Sequence, residues 1–203
     1  MSSEAFLIVH GWLNERPEGH WQHRLADALR ADGASVDYPQ LPNPKAPVPA
    51  QWLDALDAAL DRARGCDLTV VGHSLGSVLW LVAAARPQGV RHVHRVLLVA
   101  PPAREQLLRQ PELRAFAEFR PESHAVRDSS EEPPLFVGGD ADPWCPRTVA
   151  VEYAAEYDCP AVTIPGGPHF ALEDGYGPWP AVLDWCRQGS ADFLADTPAA
   201  ARR

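Results

Sequence analysis

The sequence has no hydrophobic run long enough to cross a membrane. Apolar stretches such as Val96 to Pro102 are short, whereas a membrane-spanning helix needs about 20 apolar residues. The first residues, Met1 to Val9, lack the basic start and the long apolar centre of a signal peptide. We therefore expect a protein that is neither anchored in a membrane nor exported, and that is cytoplasmic.

Positive charge is scarce as well. The chain has 18 Lys and Arg residues against 27 Asp and Glu residues, which gives a net charge of −9. A protein that binds nucleic acid through its phosphates needs a basic surface, and an anionic membrane repels an acidic protein. We therefore expect that the chain binds neither nucleic acid nor a membrane surface. The sequence leaves open whether it binds another protein.

Cysteine spacings of the metal-binding kind are also missing. The four cysteines form no CxxC pair and no zinc pattern; they are Cys66, Cys145, Cys159 and Cys186. In a cytosolic chain this indicates free thiols, some of them buried. His20 and His23 flank Trp21, but no acid or further histidine completes a ligand set with them. The sequence predicts no metal site, and His20 is expected to be solvated or to anchor a loop.

Short apolar runs alternate with helical patterns along the chain. Of the 203 residues, 46% are hydrophobic and 22% are charged, as in an ordinary globular domain. Six apolar runs predict strands, at 5–9, 35–38, 67–71, 93–100, 134–137 and 161–164. Helical patterns fall at 21–29, 52–63, 75–86, 148–157 and from 179 onwards. Because most of these strands are apolar throughout, they indicate a parallel sheet with helices on both faces.

Two segments have no clear strand or helix pattern. Residues 39–49 contain five prolines and predict a stiff loop, because proline removes backbone donors. Residues 101–132 predict one or two short helices over 104–119, followed by a polar loop. We therefore expect a single α/β domain over residues 1–190 with no large cap, and a partly flexible tail over 191–203.

The strongest chemical motif is the sequence Gly72-His-Ser-Leu-Gly76. This G-x-S-x-G pattern lies between a predicted strand and a predicted helix, where a tight turn exposes a serine nucleophile. Side chains at positions 72 and 76 would collide with neighbouring elements. The motif predicts that Ser74 is a catalytic nucleophile.

A serine nucleophile needs a base and an orienting carboxylate, which follow in the order Ser, Asp, His in such folds. His169 follows the last predicted strand in a loop rich in Gly and Pro. Asp140 and Asp142 both follow the strand before it. They compete for the carboxylate position, and we favour Asp142, which precedes an apolar turn that ends in proline.

An oxyanion hole needs two N–H donors. The N–H of Leu75, directly after the nucleophile, is predicted to be one, and the N–H of Trp12, after the first strand, is predicted to be the other. Around the site, four residues are expected to contact substrate; they are Gly11, His73, Trp144 and Phe170.

Taken together, these motifs resemble the α/β-hydrolases. They are most similar to the small serine hydrolases related to retinoblastoma-binding protein nine and their bacterial relatives. The resemblance rests on four segments: Val9-His-Gly-Trp12 with Pro17 and His20-Trp-Gln22, Gly72-His-Ser-Leu-Gly76, Asp140-Ala-Asp-Pro143, and His169-Phe with Gly175-Tyr-Gly-Pro-Trp179. One departure is His10, where many relatives have proline. The resemblance implies a compact, nearly lidless hydrolase with the triad Ser74, Asp142 and His169.

The sequence therefore predicts a serine hydrolase that acts on small acyl esters without a metal or cofactor. Amides and thioesters are weaker alternatives, as is acyl transfer to an acceptor other than water. A non-catalytic protein-interaction module on the same fold is a further alternative, although such a module needs no intact triad. Only residues 101–132 are expected to shade the site, which predicts an open, shallow pocket and short acyl groups.

Overall fold

The computed structural model describes residues 3–194, apart from the side chains of residues 147–150. The strands are β1 (Glu4–Val9), β2 (Ser35–Asp37), β3 (Asp67–His73), β4 (Arg95–Val99), β5 (Leu135–Gly139) and β6 (Ala161–Ile164). They form one sheet in the order β2-β1-β3-β4-β5-β6, in which every neighbouring pair is parallel. All six carboxyl ends therefore meet at one edge of the sheet.

Seven helices accompany the sheet within the described residues. They are α1 (Trp21–Ala31), α2 (Pro49–Arg62), α3 (Leu75–Ala84), α4 (Arg104–Arg109), α5 (Ser123–Arg127), α6 (Arg147–Glu156) and α7 (Pro180–Gln188). Two 3₁₀ turns cover Arg114–Glu118 and Leu172–Asp174. The predicted single-domain α/β architecture with about six strands and no large cap is confirmed.

The core has two layers, one on each face of the sheet. Alternate side chains of β1 illustrate this: Leu7 packs with α2 and α3, while Ile8 packs with α1 and α7. Helix α3 is buried along its whole length, which explains why its sequence is apolar all round rather than amphipathic. This central position holds the start of α3, directly after Ser74, firmly against the sheet.

The residues at the starts of α1 and α2 explain why these helices begin where they do. His20 caps α1, because its side chain accepts a hydrogen bond from the N–H of Gln22 at 3.2 Å. The proline-rich loop stops at Pro49, which is the first residue of α2. Proline is favourable there because its fixed φ suits the first helical turn and its missing N–H would be unpaired anyway.

Two local predictions are wrong. The segment predicted as a polar loop before residue 132 contains α5, which is too short to show helical periodicity. The fourth strand begins at Arg95 rather than at Val93, which forms only an isolated bridge with Ser130.

The predicted flexible tail, residues 191–203, is described only in part. Residues 195–203 lie outside the described part, while Phe193 is buried with its ring 6.3 Å from that of Trp179.

Within residues 3–194, no helix has the length and apolar character needed to span a bilayer.

Candidate active site

Ser74 occupies a strained turn between β3 and α3. Its φ of 52° and ψ of −125° lie in a region that residues other than glycine rarely adopt. The Ser74 N–H donates to the carbonyl of Val99 in β4 at 2.9 Å. A side chain at position 76 would overlap the backbone carbonyls of Val9 and His10. Glycine there allows α3 to pack closely on the end of β1, which holds the strained turn in place.

His169 follows β6 and points its imidazole at Ser74. Its Nε2 lies 2.9 Å from the Ser74 Oγ. On the other side of the ring, Nδ1 lies 2.8 Å from the Oδ2 of Asp142. Since an ionised carboxylate only accepts hydrogen bonds, Nδ1 carries the proton and Nε2 is free to accept the hydroxyl proton of Ser74. The structure therefore brings all three predicted residues into one hydrogen-bonded series.

The carboxylate that reaches His169 is Asp142 rather than Asp140. The Asp142 side chain is fully buried, and its second oxygen accepts the N–H of Trp144 at 2.7 Å. Asp140 is exposed and instead accepts the N–H of Gly166 at 2.6 Å. Two hydrogen bonds fix the orientation of the buried carboxylate, whereas Asp140 holds the neighbouring loop.

The two predicted oxyanion donors lie beside Ser74. Leu75 begins α3, where the first N–H groups of a helix have no partner within it. Trp12 follows the end of β1, and both residues line the cleft around Ser74. Among the hydrogen bonds of residues 3–194, neither of these two N–H groups has a backbone acceptor outside the helices and strands. The assignment of these two N–H groups as oxyanion donors stays a prediction.

A cleft of about 440 Å³ opens above Ser74. Its apolar wall is formed by four residues, Trp12, Pro102, Leu113 and Trp144. The lining also includes polar side chains at Asn14, Glu15, His20 and Glu173, together with Pro17 and Leu172. Ligand sites in proteins usually have volumes of this order, with apolar walls and few polar groups.

The loop that contains Trp12 is held by His10. The buried ring donates from Nδ1 to the carbonyl of Gly11 at 2.8 Å and accepts at Nε2 from the N–H of Leu41 at 2.9 Å. Burial lowers the pKa of His10 from 6.5 to about 4, so the ring is neutral near pH 7. His10 thus joins the loops after β1 and β2.

His73 lines the cleft, yet its side chain is almost completely buried. Its Nε2–H donates to the backbone carbonyl of His169 at 2.8 Å. Burial, together with the neighbouring His169 and His20, holds the pKa of His73 well below its ordinary value. His73 therefore stays neutral, and its principal contact is with the loop of His169.

Of the four residues predicted to contact substrate, the structure places three at the cleft and one elsewhere. Gly11, His73 and Trp144 line it. The prediction for Phe170 is wrong, because its side chain is fully buried, with the rings of Tyr176 and Trp179 both 4.8 Å away. The backbone of Phe170 has a positive φ of 57°, which turns its ring away from Ser74 and into the core.

Sequence reasoning missed part of the cleft wall. His20 and the 3₁₀ turn with Leu172 and Glu173 line it, so residues 101–132 are not the only segment that shades the site. His20 is buried, and burial lowers its pKa from 6.5 to about 4. Its position before a helical pattern could have revealed it as a helix cap. No sequence signal marked Leu172 or Glu173.

The parallel sheet, the strained serine turn and the hydrogen-bonded Ser, His and Asp side chains define the class of this protein as an α/β-hydrolase. The serine hydrolase family model matches residues 6–188. The chain therefore belongs to the serine hydrolase family. The predicted α/β-hydrolase superfamily is confirmed, while the narrower likeness to retinoblastoma-binding protein nine stays a prediction.

Similar proteins and structures agree with this assignment. The chain is 26% identical to the putative hydrolase YdeN of Bacillus subtilis over 184 residues, which cover 90% of this chain and 94% of YdeN. The crystal structure of the B. subtilis ydeN gene product superimposes with a TM-score of 0.78 at 24% identity, covering 90% and 96% of the two chains. Est1E from Butyrivibrio proteoclasticus has a TM-score of 0.66 at 20% identity, with 93% and 87% covered.

A third structure has a similar fold. XC6422 from Xanthomonas campestris is described as an α/β serine hydrolase without a lid. It has a TM-score of 0.58 at 19% identity, and the alignment covers 93% of this chain and 82% of XC6422. At this identity the likeness shows a shared fold.

Proposed function

We propose that this hydrolase cleaves small carboxylic esters with a catalytic triad of Ser74, His169 and Asp142. The observation that carries the proposal is the pair of hydrogen bonds at His169, 2.9 Å to Ser74 and 2.8 Å to Asp142. A serine in ordinary surroundings is a weak nucleophile. It becomes reactive when a base held by a third group stands within hydrogen-bonding distance.

The proposed reaction proceeds through an acyl-enzyme. Ser74 Oγ attacks the ester carbonyl while His169 Nε2 takes its proton, and Asp142 stabilises the resulting imidazolium. The N–H groups of Leu75 and Trp12 bind the oxyanion, and each such donor contributes about 3 kcal/mol to catalysis. His169 then protonates the departing alcohol, and water, activated by the same histidine, releases the acid. The chain's own residues supply every proton transfer in these steps.

The cleft supports small acyl groups as substrates. Its apolar wall of Trp12, Trp144, Pro102 and Leu113 suits a short hydrocarbon chain. The polar side chains in the lining, at Asn14, Glu15, His20 and Glu173, suit the alcohol part of the ester. A space of about 440 Å³ accommodates such an ester, and the fold has no large cap that would enclose a long acyl chain.

The first test is intact-mass analysis after treatment with a fluorophosphonate probe. We expect one adduct on the wild type, none on Ser74→Ala, and one on Ser123→Ala, a matched control because Ser123 is exposed in α5. No adduct on folded wild-type protein would overturn the proposal and leave the non-catalytic binding module as the better hypothesis.

A second measurement distinguishes hydrolysis from acyl transfer. Untreated wild-type protein is given a panel of p-nitrophenyl esters, with and without an added alcohol or amine, and the products are identified by mass spectrometry. Free acid as the main product in every case supports the proposal. A predominant ester or amide of the added acceptor would instead identify an acyltransferase.

A further inference from the structure

The loop that carries His169 is held by two buried ring N–H groups. The Nε2–H of His73 donates to the backbone carbonyl of His169 at 2.8 Å. The Nε1–H of Trp21 donates to the next carbonyl, that of Phe170, at 3.0 Å. Both rings are almost completely buried, so neither hydrogen bond competes with bulk water. Two consecutive carbonyls are therefore fixed by donors from two different elements, β3 and α1.

The backbone between these carbonyls is strained. Phe170 has a φ of 57°, which a bulky residue adopts only where its surroundings hold it there. The next residue is also fixed, because the N–H of Ala171 donates to the Oδ2 of Asp174 at 2.9 Å. If the loop relaxed, the His169 imidazole would move with it, since its direction depends on this backbone.

The two donors form one packed unit next to the nucleophile. The rings of His73 and Trp21 meet edge to face, with their centroids 5.5 Å apart. His73 is also the residue directly before Ser74. Its hydrogen bond thus joins the strand that carries the nucleophile to the loop that carries the base, across 96 positions of sequence.

The chemistry of His73 is unusual for a residue that only fills space. Because Nε2 donates to a carbonyl, the neutral ring has a bare Nδ1, and this atom is buried without a hydrogen-bond partner in the described part of the chain. An unpaired buried polar atom is unfavourable for stability. An apolar ring would avoid this cost but could not donate to the His169 carbonyl.

We infer that His73 and Trp21 are positioning residues, whose ring N–H groups hold the carbonyls of His169 and Phe170 and so keep the His169 imidazole in line with Ser74. The inference rests on the proposed function. Neither residue takes part in bond making; both act through His169. A shift of about 1 Å in a reacting group lowers catalysis about a hundredfold, so the loss of either donor is measurable.

The test compares variants that differ in the donor. His73→Phe keeps a buried ring but has no N–H, whereas the side-chain amide of His73→Gln reaches about as far as Nε2. We expect His73→Phe to lower kcat for a short ester and the fluorophosphonate labelling rate about 10- to 100-fold, with KM within about twofold. We expect His73→Gln to recover both rates to within about fivefold of wild type.

Trp21→Phe tests the second donor, with Trp80→Phe as its matched control. Trp80 is equally buried, and its ring N–H donates to Ser129 Oγ at 3.0 Å, outside the cleft. We expect both variants to lower Tm, but only Trp21→Phe to lower kcat and the labelling rate, by about tenfold. Equal losses of rate in the two variants would overturn the role of Trp21.

Several outcomes would overturn the inference for His73. These are a His73→Phe rate within twofold of wild type, a His73→Gln variant as slow as His73→Phe, or a raised KM with unchanged kcat. If His73→Phe does not fold, His73→Asn replaces it, because its shorter amide does not reach the carbonyl. Wild-type protein that is not labelled at all would overturn the proposed function as well, whereas a labelled wild type isolates the positioning role.

Discussion

Gly11 lies directly against Ser74. A Cβ at position 11 would stand 2.8 Å from the Ser74 Cβ and 3.2 Å from its Oγ, closer than such atoms pack in real proteins. The loop after β1 therefore approaches the nucleophile to a distance that only glycine permits. This contact brings the loop of Trp12, whose N–H is the proposed oxyanion donor, close to Ser74.

Replacing Gly11 should separate the oxyanion donor from the nucleophile. We expect Gly11→Ala to lower kcat for a short ester about 10- to 100-fold, because the loop must move away from Ser74 and takes the Trp12 N–H with it. Steady-state kinetics measure this. Gly177→Ala is the control, since a Cβ there would meet its nearest neighbour at an ordinary 3.5 Å; a similar loss in both variants would contradict the explanation.

The two acidic residues after β5 should behave differently. Asp142→Asn is expected to lower kcat about 10⁴-fold, because an amide cannot stabilise the imidazolium and favours the wrong tautomer of His169. Asp140→Asn should stay within about threefold of wild type, because the asparagine oxygen can still accept the Gly166 N–H. The kcat values of both variants with one short ester measure this difference. An inactive Asp140→Asn would show that the assignment of Asp142 alone as the triad carboxylate is incomplete.

Acyl chain length should limit turnover. With p-nitrophenyl esters, we expect acetate and butyrate to react faster than esters of long-chain acids, since the fold has no large cap that would enclose a long chain. Leu113→Ala removes apolar bulk from the cleft wall and should shift the optimum to longer chains. Val126→Ala, a buried change in α5 outside the cleft, should leave the profile unchanged. A wild type that prefers long chains would refute the substrate class.

Acid should destabilise the fold through its buried histidines. Burial lowers the pKa of His20 from the ordinary 6.5, which the unfolded chain retains, to about 4. Between these pH values the unfolded chain therefore binds a proton that the folded chain does not. The free energy of unfolding is therefore highest above pH 6.5. It falls as the pH falls towards 4, by about 3 kcal/mol for this one residue. His10 should contribute a similar loss over the same range.

Urea denaturation at several pH values between about 7.5 and 4 measures this effect. We expect His20→Asn to keep the helix cap and to reduce the slope of the unfolding free energy against pH by about 1.4 kcal/mol per pH unit. The control is His92→Asn, at an exposed position. Identical slopes for wild type and His20→Asn would mean that His20 is protonated in the folded protein.

Three of the four thiols should be unreactive in the folded protein. Burial raises the pKa values of Cys145, Cys159 and Cys186 to about 12, so almost no thiolate forms at about pH 8. Mass spectrometry after iodoacetamide treatment should show at most one rapid addition, at Cys66, and four after unfolding in urea. Rapid native alkylation of Cys145, three residues from Asp142, would contradict the burial seen here.

The sequence alone was enough to predict the six strands and most of the longer helices in chain order, and to place Ser74, His169 and two candidate aspartates directly after strands. Apolar runs and glycine-bounded turns are local signals, and a parallel sheet must bring its carboxyl ends to one edge. Short elements such as α5 escaped detection, because five residues contain little more than one helical turn.

What the tertiary structure alone decided is which side chains meet. Asp140 and Asp142 both follow β5, and the sequence only favoured Asp142; packing makes the difference, because Asp142 contacts His169 whereas Asp140 accepts the Gly166 N–H. Phe170 follows the catalytic histidine, yet its positive φ sends it into the core. Local sequence shows His73 only as a neighbour of the nucleophile and Trp21 only as a helix residue, because a hydrogen bond across 96 or 149 positions leaves no trace in it. Such contacts depend on long-range packing of the whole chain.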